Sequence, residues 1–275
     1  MKVIFSRKGV DSASGKCASA IIDGKPYSLP IPTRMPTTTR YRDLAPIIAA
    51  LARDLSNGGL NAERACHLDP DINPSALAAG RPAGWRGALG QASASLSHLR
   101  KNAVGPGDLF LFWGLFREAK QIGGVWRYVG PRIHAVFGWL QVEYVIDLGP
   151  DGSLALEKRP WLRDHPHVRS GWSDLNAIYL ARDELTFNGR KLRGYGVFDR
   201  PLVLTAPDAK TPSIWVAPRW LDVKAGGVGM TYHPEGRWLG GGRLQSAARG
   251  QEFVADAGNR SDAINWLSQM ILDHT

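Results

Sequence analysis

The chain has 275 residues, of which 44% are hydrophobic, so it is long enough and apolar enough to bury a substantial core. Its 34 lysines and arginines exceed its 25 acidic residues, and the resulting charge of +9 favours polyanionic partners such as nucleic acid, nucleotides or acidic membranes. Two cysteines are too few for a disulfide framework, and the lack of any apolar run of about 18 residues excludes a membrane span. No membrane partner is expected. We therefore expect a cytoplasmic protein with free thiols.

Helical patterns occur in three segments. Apolar positions recur with the helical period over Arg42–Ser56, where Pro46 lies in the first turn and Asn57-Gly58-Gly59 supplies a stop signal. The same period predicts a helix over Ala88–Lys101. A last helix is predicted to begin at Ser261, whose hydroxyl is suited to cap it.

Strand signals fill most of the remaining chain. Short apolar, aromatic and branched runs predict strands, and Asn188-Gly189 predicts a tight hairpin turn. The predicted strands cover Lys2–Ser6, Leu109–Trp113, Ala135–Ile146, Ala177–Ala181, Leu202–Thr205 and Ile214–Ala217. Because strands and helices do not alternate, a doubly wound parallel sheet is not expected. The prediction is an α+β fold in which residues 1–275 form a single domain. Its sheet is strongly bent or barrel-like, mostly antiparallel, and flanked by a few helices.

The segment Ser6-Arg7-Lys8-Gly9-Val10-Asp11-Ser12 places polar side chains directly after the first strand. Arg7 and Lys8 beside a flexible glycine suit a phosphate group. Ser6 and Ser12 would donate hydrogen bonds, and Asp11 would act as an acid–base or metal-binding group. An ATPase-type phosphate loop is excluded because five residues separate Gly9 from Gly15 where that loop has four. The alternative is an ordinary turn with solvated charges.

His67, Asp69 and Asp71 alternate within His-Leu-Asp-Pro-Asp. In an extended segment alternate side chains share one face, so these three groups would converge there. One imidazole and two carboxylates suit a divalent metal ion or general acid–base catalysis. The alternative is a turn, which this run of aspartate and proline also favours.

Cationic and flat side chains are interleaved further along the chain. Residues 72–107 contain no acidic residue, and a second basic and aromatic stretch occupies the connection at 115–133 between two predicted strands. Phosphate neutralisation and ring stacking are what single-stranded or flipped bases require. The substrate-binding candidates here are Gln91, Trp113, Arg117, Trp126 and Arg127. The alternative is a solvated basic loop with Trp126 in the core.

Glu252 is the last catalytic candidate. It follows a cationic stretch that holds Arg237, Arg243 and Arg249. A carboxylate in such surroundings stays ionised and is suited to act as a base or a nucleophile. The alternative is a simple ion pair with a neighbouring arginine.

Several of these segments together resemble the bacterial and phage family called nucleotide modification associated domain 3. The resemblance rests on Val3–Ser12, Ser28–Pro32, His67–Asp71, Gly107–Gly114, Val136–Val142 and Gly250–Val254. It implies a role in systems that modify DNA bases or nucleotides, and it assigns no catalytic residues. Locally, Val104–Trp113 and Val136–Val142 look like paired strands of PUA-like barrels, a group that includes readers of modified bases.

Together these observations predict an enzyme that modifies a DNA base or a nucleotide, with a divalent metal ion as a candidate cofactor. The alternative is a non-catalytic reader of modified or single-stranded nucleic acid, and the sequence also permits a structural or inhibitory partner protein. An enzyme should gather its polar residues in one cleft, so segments 6–12 and 67–71 are expected on the same side of the fold. A reader needs a basic groove leading to an aromatic cage without paired carboxylates.

Overall fold

The computed structural model describes residues 1–187 and 191–275, and within these ranges the chain forms four α-helices and fifteen strands. The helices are α1 (Pro46–Leu55), α2 (Ser93–Lys101), α3 (Ser153–Lys158) and α4 (Ser261–His274). The strands are β1 (Lys2–Arg7), β2 (Ser19–Ile22), β3 (Lys25–Tyr27), β4 (Ile31–Pro32), β5 (Cys66–His67), β6 (Ala88–Ala92), β7 (Leu109–Ile122), β8 (Val125–Tyr128), β9 (Ile133–Asp147), β10 (Asn176–Ala181), β11 (Tyr195–Val203), β12 (Ile214–Val216), β13 (Trp238–Gly240), β14 (Arg243–Gln245) and β15 (Glu252–Asp256).

One large sheet organises the fold. Its strands follow the order β15-β1-β7-β9-β10-β6, with β2, β3, β8 and β11 attached beside this path. The pairs β1–β7 and β2–β7 are parallel, whereas the other pairs in this sheet are antiparallel. The long strand β9 pairs with β11 through its first half and with β10 through its second half. The sheet curls into a half-barrel, which confirms the predicted α+β fold with a bent, mostly antiparallel sheet.

Both faces of the sheet are buried, each against its own core. Successive side chains of a strand point to opposite faces, so neighbouring residues belong to different cores. Along β1, Val3 and Phe5 belong to a core that includes residues of α4 and Trp215, Trp220 and Trp238. Ile4 belongs to the core on the other face, which includes residues of α2. Much of the tryptophan content therefore fills the interior.

Two segments differ from the predictions. Ala88–Ala92, predicted as the start of a helix, is strand β6, because these residues pair with β10, and α2 begins only at Ser93. The segment predicted as a connection after Trp113 is largely strand as well, since β7 continues to Ile122 and pairs with β8 in a hairpin. The predicted turn at Asn188-Gly189 lies outside the described residues. Among the residues that the structure describes, no helix is long and apolar enough to cross a membrane.

The curl of the sheet brings its two end strands, β15 and β6, face to face. Gln91 of β6 donates a hydrogen bond from Nε2 to Oε1 of Glu252 in β15, over 2.6 Å. We call this contact region, where side chains link the two ends of the sheet, the seam. The polar segments singled out in the sequence meet there.

Candidate active site

A cavity of about 550 Å³ opens beside the seam. Its wall combines the segment after β1, the segment around β5, the end of β6 with the start of α2, and a loop near His167. The lining side chains that carry chemistry are Arg7, Lys8, Asp11, Ser14, His67, Asp69, Gln91, Ser93, Ser95, His167, Trp172 and Gln251. This volume lies within the roughly 300–1,000 Å³ that small-molecule sites occupy. We call this cavity the seam pocket.

Lys8 lies between two buried carboxylates. Its Nζ is 3.6 Å from Oδ2 of Asp69 and 3.6 Å from Oε1 of Glu252. The side chains are 9% exposed for Lys8, 3% for Asp69 and 1% for Glu252. Removing three charged groups from water is costly, and such clusters occur more often at functional sites than in ordinary cores.

The two carboxylates have different environments. Burial alone would raise the pKa of Asp69, but the ammonium of Lys8 and the imidazole of His165 outweigh it and hold that pKa well below its usual range. The backbone N–H of Gly90 also donates to Asp69 Oδ1 over 2.6 Å. Burial raises the pKa of Glu252, and its polar neighbours offset only part of this rise. Asp69 is therefore the stable anion, and Glu252 is the carboxylate more suited to carry a proton.

Glu252 lies behind the pocket wall and not in it. Its Oε1 accepts hydrogen bonds from Ser6 Oγ over 3.0 Å and from Gln91 Nε2 over 2.6 Å. Its Oε2 is buried and has no hydrogen-bond partner among the described residues. Glu252 therefore reaches the pocket through Lys8 and Gln91, which do line it.

Two neutral histidines face Asp69. Burial lowers the pKa of His67 to about 4 and that of His167 to about 3. The ring of His167 stacks on that of Trp172, with centroids 4.1 Å apart and planes inclined by 12°. One candidate ligand atom from each of His67, Asp69 and His167 lies within 4.8 Å of the other two. An imidazole–imidazole–carboxylate set of this kind suits a divalent metal ion.

Another part of the pocket wall offers groups that bind anions. The Arg7 guanidinium, whose side chain is 30% exposed, donates to Asp11 Oδ2 over 2.7 Å. The start of α2 contributes Ser93 and Ser95 to the pocket wall, and no side chain caps this helix. Free amide groups and the helix dipole at such a position favour a negative charge. This wall is suited to hold a phosphate group.

Asp11 has a visible structural role. Its Oδ1 accepts hydrogen bonds from the backbone N–H groups of Ala13 and Ser14, over 2.8 and 2.7 Å, while Oδ2 accepts from Arg7. Asp11 thus shapes the turn and orients Arg7 at the pocket wall. Ser12 is exposed in this turn and does not line the pocket.

Asp71 does not join the predicted cluster with His67 and Asp69. Strand β5 ends at His67, so the extended alternation assumed for this segment does not continue. The Asp71 carboxylate instead binds the Arg81 guanidinium and accepts a hydrogen bond from Trp85 Nε1 over 3.0 Å. The assignment of Asp71 as a metal ligand is wrong, because its carboxylate is engaged in this ion pair.

Trp113, predicted to stack on a base, is only 1% exposed and packs in the core against Trp215 and Phe253. The ring is unavailable to a ligand, so that assignment is wrong. Its strand is buried on both faces, and Trp113 points into the core that includes residues of α4.

The remaining predicted residues lie on the β7–β8 hairpin and do not line the pocket. Arg117 donates to the carbonyl of Gly130 over 2.8 Å and covers the Tyr128 ring. Trp126 packs against the core that contains α1, as its alternative reading held. Arg127 is exposed on β8. These residues are separate from the seam pocket.

The arginines of the acid-free stretch are also engaged in ion pairs. Arg81 binds Asp71, and Arg86 binds Glu143. Sequence reasoning could not foresee these partners because they lie outside the stretch itself.

Sequence analysis missed the loop that supplies His165, His167 and Trp172. The available signal was the alternation His165-Pro166-His167, which resembles the alternation of His67 and Asp69. The two segments are about a hundred residues apart, and nothing local indicates that they meet.

Comparison with curated proteins finds no match, and comparison with solved structures finds none either. The resemblance to PUA-like barrels therefore stays a prediction. The family model of nucleotide modification associated domain 3 matches residues 2–256, which is nearly the whole chain. The chain belongs to the nucleotide modification associated domain 3 family.

Proposed function

We propose that the protein is an enzyme that modifies a nucleotide or a nucleic-acid base, and that the seam pocket is its active site. The family supports the process, since its description associates it with nucleotide modification. The observation that carries the proposal is that Lys8 and Asp69 line one cavity together with two neutral imidazoles, while the buried Glu252 holds Lys8 from behind the wall. Groups with opposed pKa shifts in one cleft are typical of acid–base catalysis.

The pocket divides into two regions with different chemistry. Arg7 and the start of α2 would hold a phosphate of the substrate. Asp69, His67 and His167 would face the group that reacts, and Trp172 supplies a flat ring beside them. Glu252 would act as a positioning residue, since it touches Lys8 and Gln91 and does not line the pocket.

A reader of modified bases is the second candidate, favoured by Trp172 alone. A reader would need an aromatic cage without paired carboxylates. Here two carboxylates flank one lysine, and Trp172 is the one tryptophan among the described lining residues. The balance therefore favours an enzyme.

The test is mass spectrometry of nucleosides from DNA and from nucleotide pools of cells that lack the gene. The cells are complemented with the wild type, with Asp69→Asn, or with Asp199→Asn. The last variant is the matched control, because Asp199 is exposed on β11 and pairs with the exposed Lys25. We expect a modified nucleoside with the wild type and the control, and none with Asp69→Asn.

Asp69→Asn is expected to fold, because the amide keeps the oxygen that accepts a hydrogen bond from the Gly90 N–H. Thermal melting checks this. A folded Asp69→Asn protein that restores the modified nucleoside would overturn the catalytic assignment. If no nucleoside differs between cells with and without the gene, while the purified protein binds modified bases, the reader is correct.

A further inference from the structure

We propose that His67, Asp69 and His167 bind a divalent transition-metal ion, with the open side of the ion facing the seam pocket. The inference deepens the proposed function and rests on it for the substrate that would meet the metal. The ligands themselves are argued from the geometry alone.

The three ligands come from separate parts of the fold. His67 ends β5, Asp69 follows it by two residues, and His167 lies in the short 3-10 turn Pro166–Val168. Their ligand atoms lie within 4.8 Å of one another. A first-row ion lies about 2.1 Å from each ligand, so the three groups must close by about an ångström on binding. Side-chain rotation supplies a movement of this size.

The structure selects one nitrogen of His167. Asn176 Nδ2 donates to the carbonyls of Gly149 and His167, over 2.9 and 2.8 Å, so its Oδ1 is the end that faces the ring. That oxygen lies 2.7 Å from His167 Nδ1, which must therefore carry the proton. Nε2 is left with its lone pair. A histidine ligand is commonly fixed by a partner of this kind.

The carboxylate is oriented in the same way. Asp69 Oδ1 accepts from the backbone N–H of Gly90 over 2.6 Å, and His165 Nε2 lies 3.4 Å from it. The backbone N–H of His167 donates to Nδ1 of His165. The proton of the His165 ring is therefore on Nε2, which faces Asp69. Oδ2 is the oxygen left for an ion, and Lys8 is the cation near it.

Lys8 would repel an ion at Asp69 unless it moved, and Glu252 provides the place to which it can move. Its Nζ is equally far from both carboxylates, at 3.6 Å. Glu252 Oε2 is buried, and no residue in the described ranges forms a hydrogen bond with it. When the ion binds, Lys8 shifts fully onto Glu252 and satisfies this oxygen.

The donor set indicates the class of metal. Two imidazole nitrogens and one carboxylate oxygen favour iron, cobalt, zinc or manganese, whereas magnesium and calcium prefer oxygen ligands alone. Three protein ligands leave positions open to the pocket.

The test is calorimetric titration of the chelator-treated, full-length protein with cobalt, zinc and magnesium salts. We expect one equivalent of cobalt or zinc to bind, and magnesium to bind far more weakly. His67→Ala and His167→Ala should each weaken binding by about 100-fold or more, and Asn176→Ala by about 10–100-fold. Glu252→Gln should also weaken it, because Lys8 would then remain on Asp69. His274→Ala is the matched control, since that histidine lies near the end of α4, contacts the carbonyl of Arg200 and does not line the pocket.

Unchanged cobalt and zinc affinity in a folded His167→Ala protein would overturn the proposal, as would equally tight binding of magnesium. If the histidine variants do not fold, X-ray absorption of the cobalt-loaded wild type decides. Two imidazole ligands support the site, and fewer than two overturn it. Metal binding without any nucleoside change would contradict the proposed function and leave the metal site intact. If the protein changes a nucleoside but binds no metal, the metal site is contradicted and the proposed function is kept.

Discussion

Replacing Gly90 with alanine should displace His167 from the seam pocket. A Cβ at residue 90 would lie 2.1 Å from Cδ2 and 2.3 Å from Cγ of the His167 ring. Carbon atoms in contact are about 3.5–4.0 Å apart, so the ring must retreat by more than an ångström. The backbone of Gly90 lies in strand β6, and therefore lack of space, and not backbone strain, limits this position.

His167 cannot retreat without losing its contacts. It lies between Gly90 and Trp172, and its Nδ1 bonds to Asn176. Overpacking a core costs about 1–3 kcal/mol, and one lost hydrogen bond costs about 1 kcal/mol. We expect Gly90→Ala to lower the free energy of unfolding by about 2–4 kcal/mol and to weaken metal binding.

Urea unfolding followed by tryptophan fluorescence measures the cost. Gly105→Ala is the matched control, because no atom outside its neighbours lies within 4 Å of the added Cβ. The double variant Gly90→Ala/His167→Ala should be more stable than the sum of the two single effects, since the second change removes the clash. A Gly90→Ala protein as stable as the Gly105→Ala control would refute the reasoning, and so would strictly additive effects.

Three further outcomes are expected, each measured by urea unfolding. Lys8→Met should destabilise the fold by about 3 kcal/mol or more, because it leaves two buried carboxylates without their cation. Adding Glu252→Gln should recover part of this loss, and no recovery would contradict the buried cluster of Lys8, Asp69 and Glu252. Trp113→Ala should cost about 3–5 kcal/mol, as expected for a core ring, and a cost below about 1 kcal/mol would restore it as a candidate for stacking. Burial lowers the pKa of both His134 and His233 to about 4, so the unfolded state binds more protons below about pH 6.5 and stability should fall as the pH drops from there towards 4. Each histidine accounts for at most about 2 kcal/mol at pH 5, and equal or greater stability at pH 5 than at about pH 7.5 would contradict this.

The sequence predicted the elements whose pattern is local. The strand at Lys2–Ser6 and the helices near residues 42–56 and from 261 were found close to their predicted bounds. Ala88–Ala92 followed a helical pattern yet forms a strand, because pairing with β10 outweighs local preference. The hairpin after Trp113 was missed because its strands carry many charged residues, which resemble those of a loop.

The candidate site was foreseen in part. The segments 6–12 and 67–71 do meet, and Asp11 and Asp69 line one pocket, as the shared-site hypothesis required. His167 was missed because the curl of the sheet brings its loop to β6. No sequence motif indicates that contact. Asp71 was misplaced because the prediction assumed extended chain beyond His67.

The most direct test of the central claim is to locate the bound substrate by photo-cross-linking. The wild-type protein is irradiated with iododeoxyuridine monophosphate and, separately, with a single-stranded oligonucleotide that carries the same base, and the cross-linked peptides are mapped by mass spectrometry. We expect cross-links at Trp172 or at other lining residues of the seam pocket with at least one of the two probes, and their loss in Gly90→Ala. Cross-links confined to the β7–β8 hairpin around Trp126, with none in the pocket, would contradict the account.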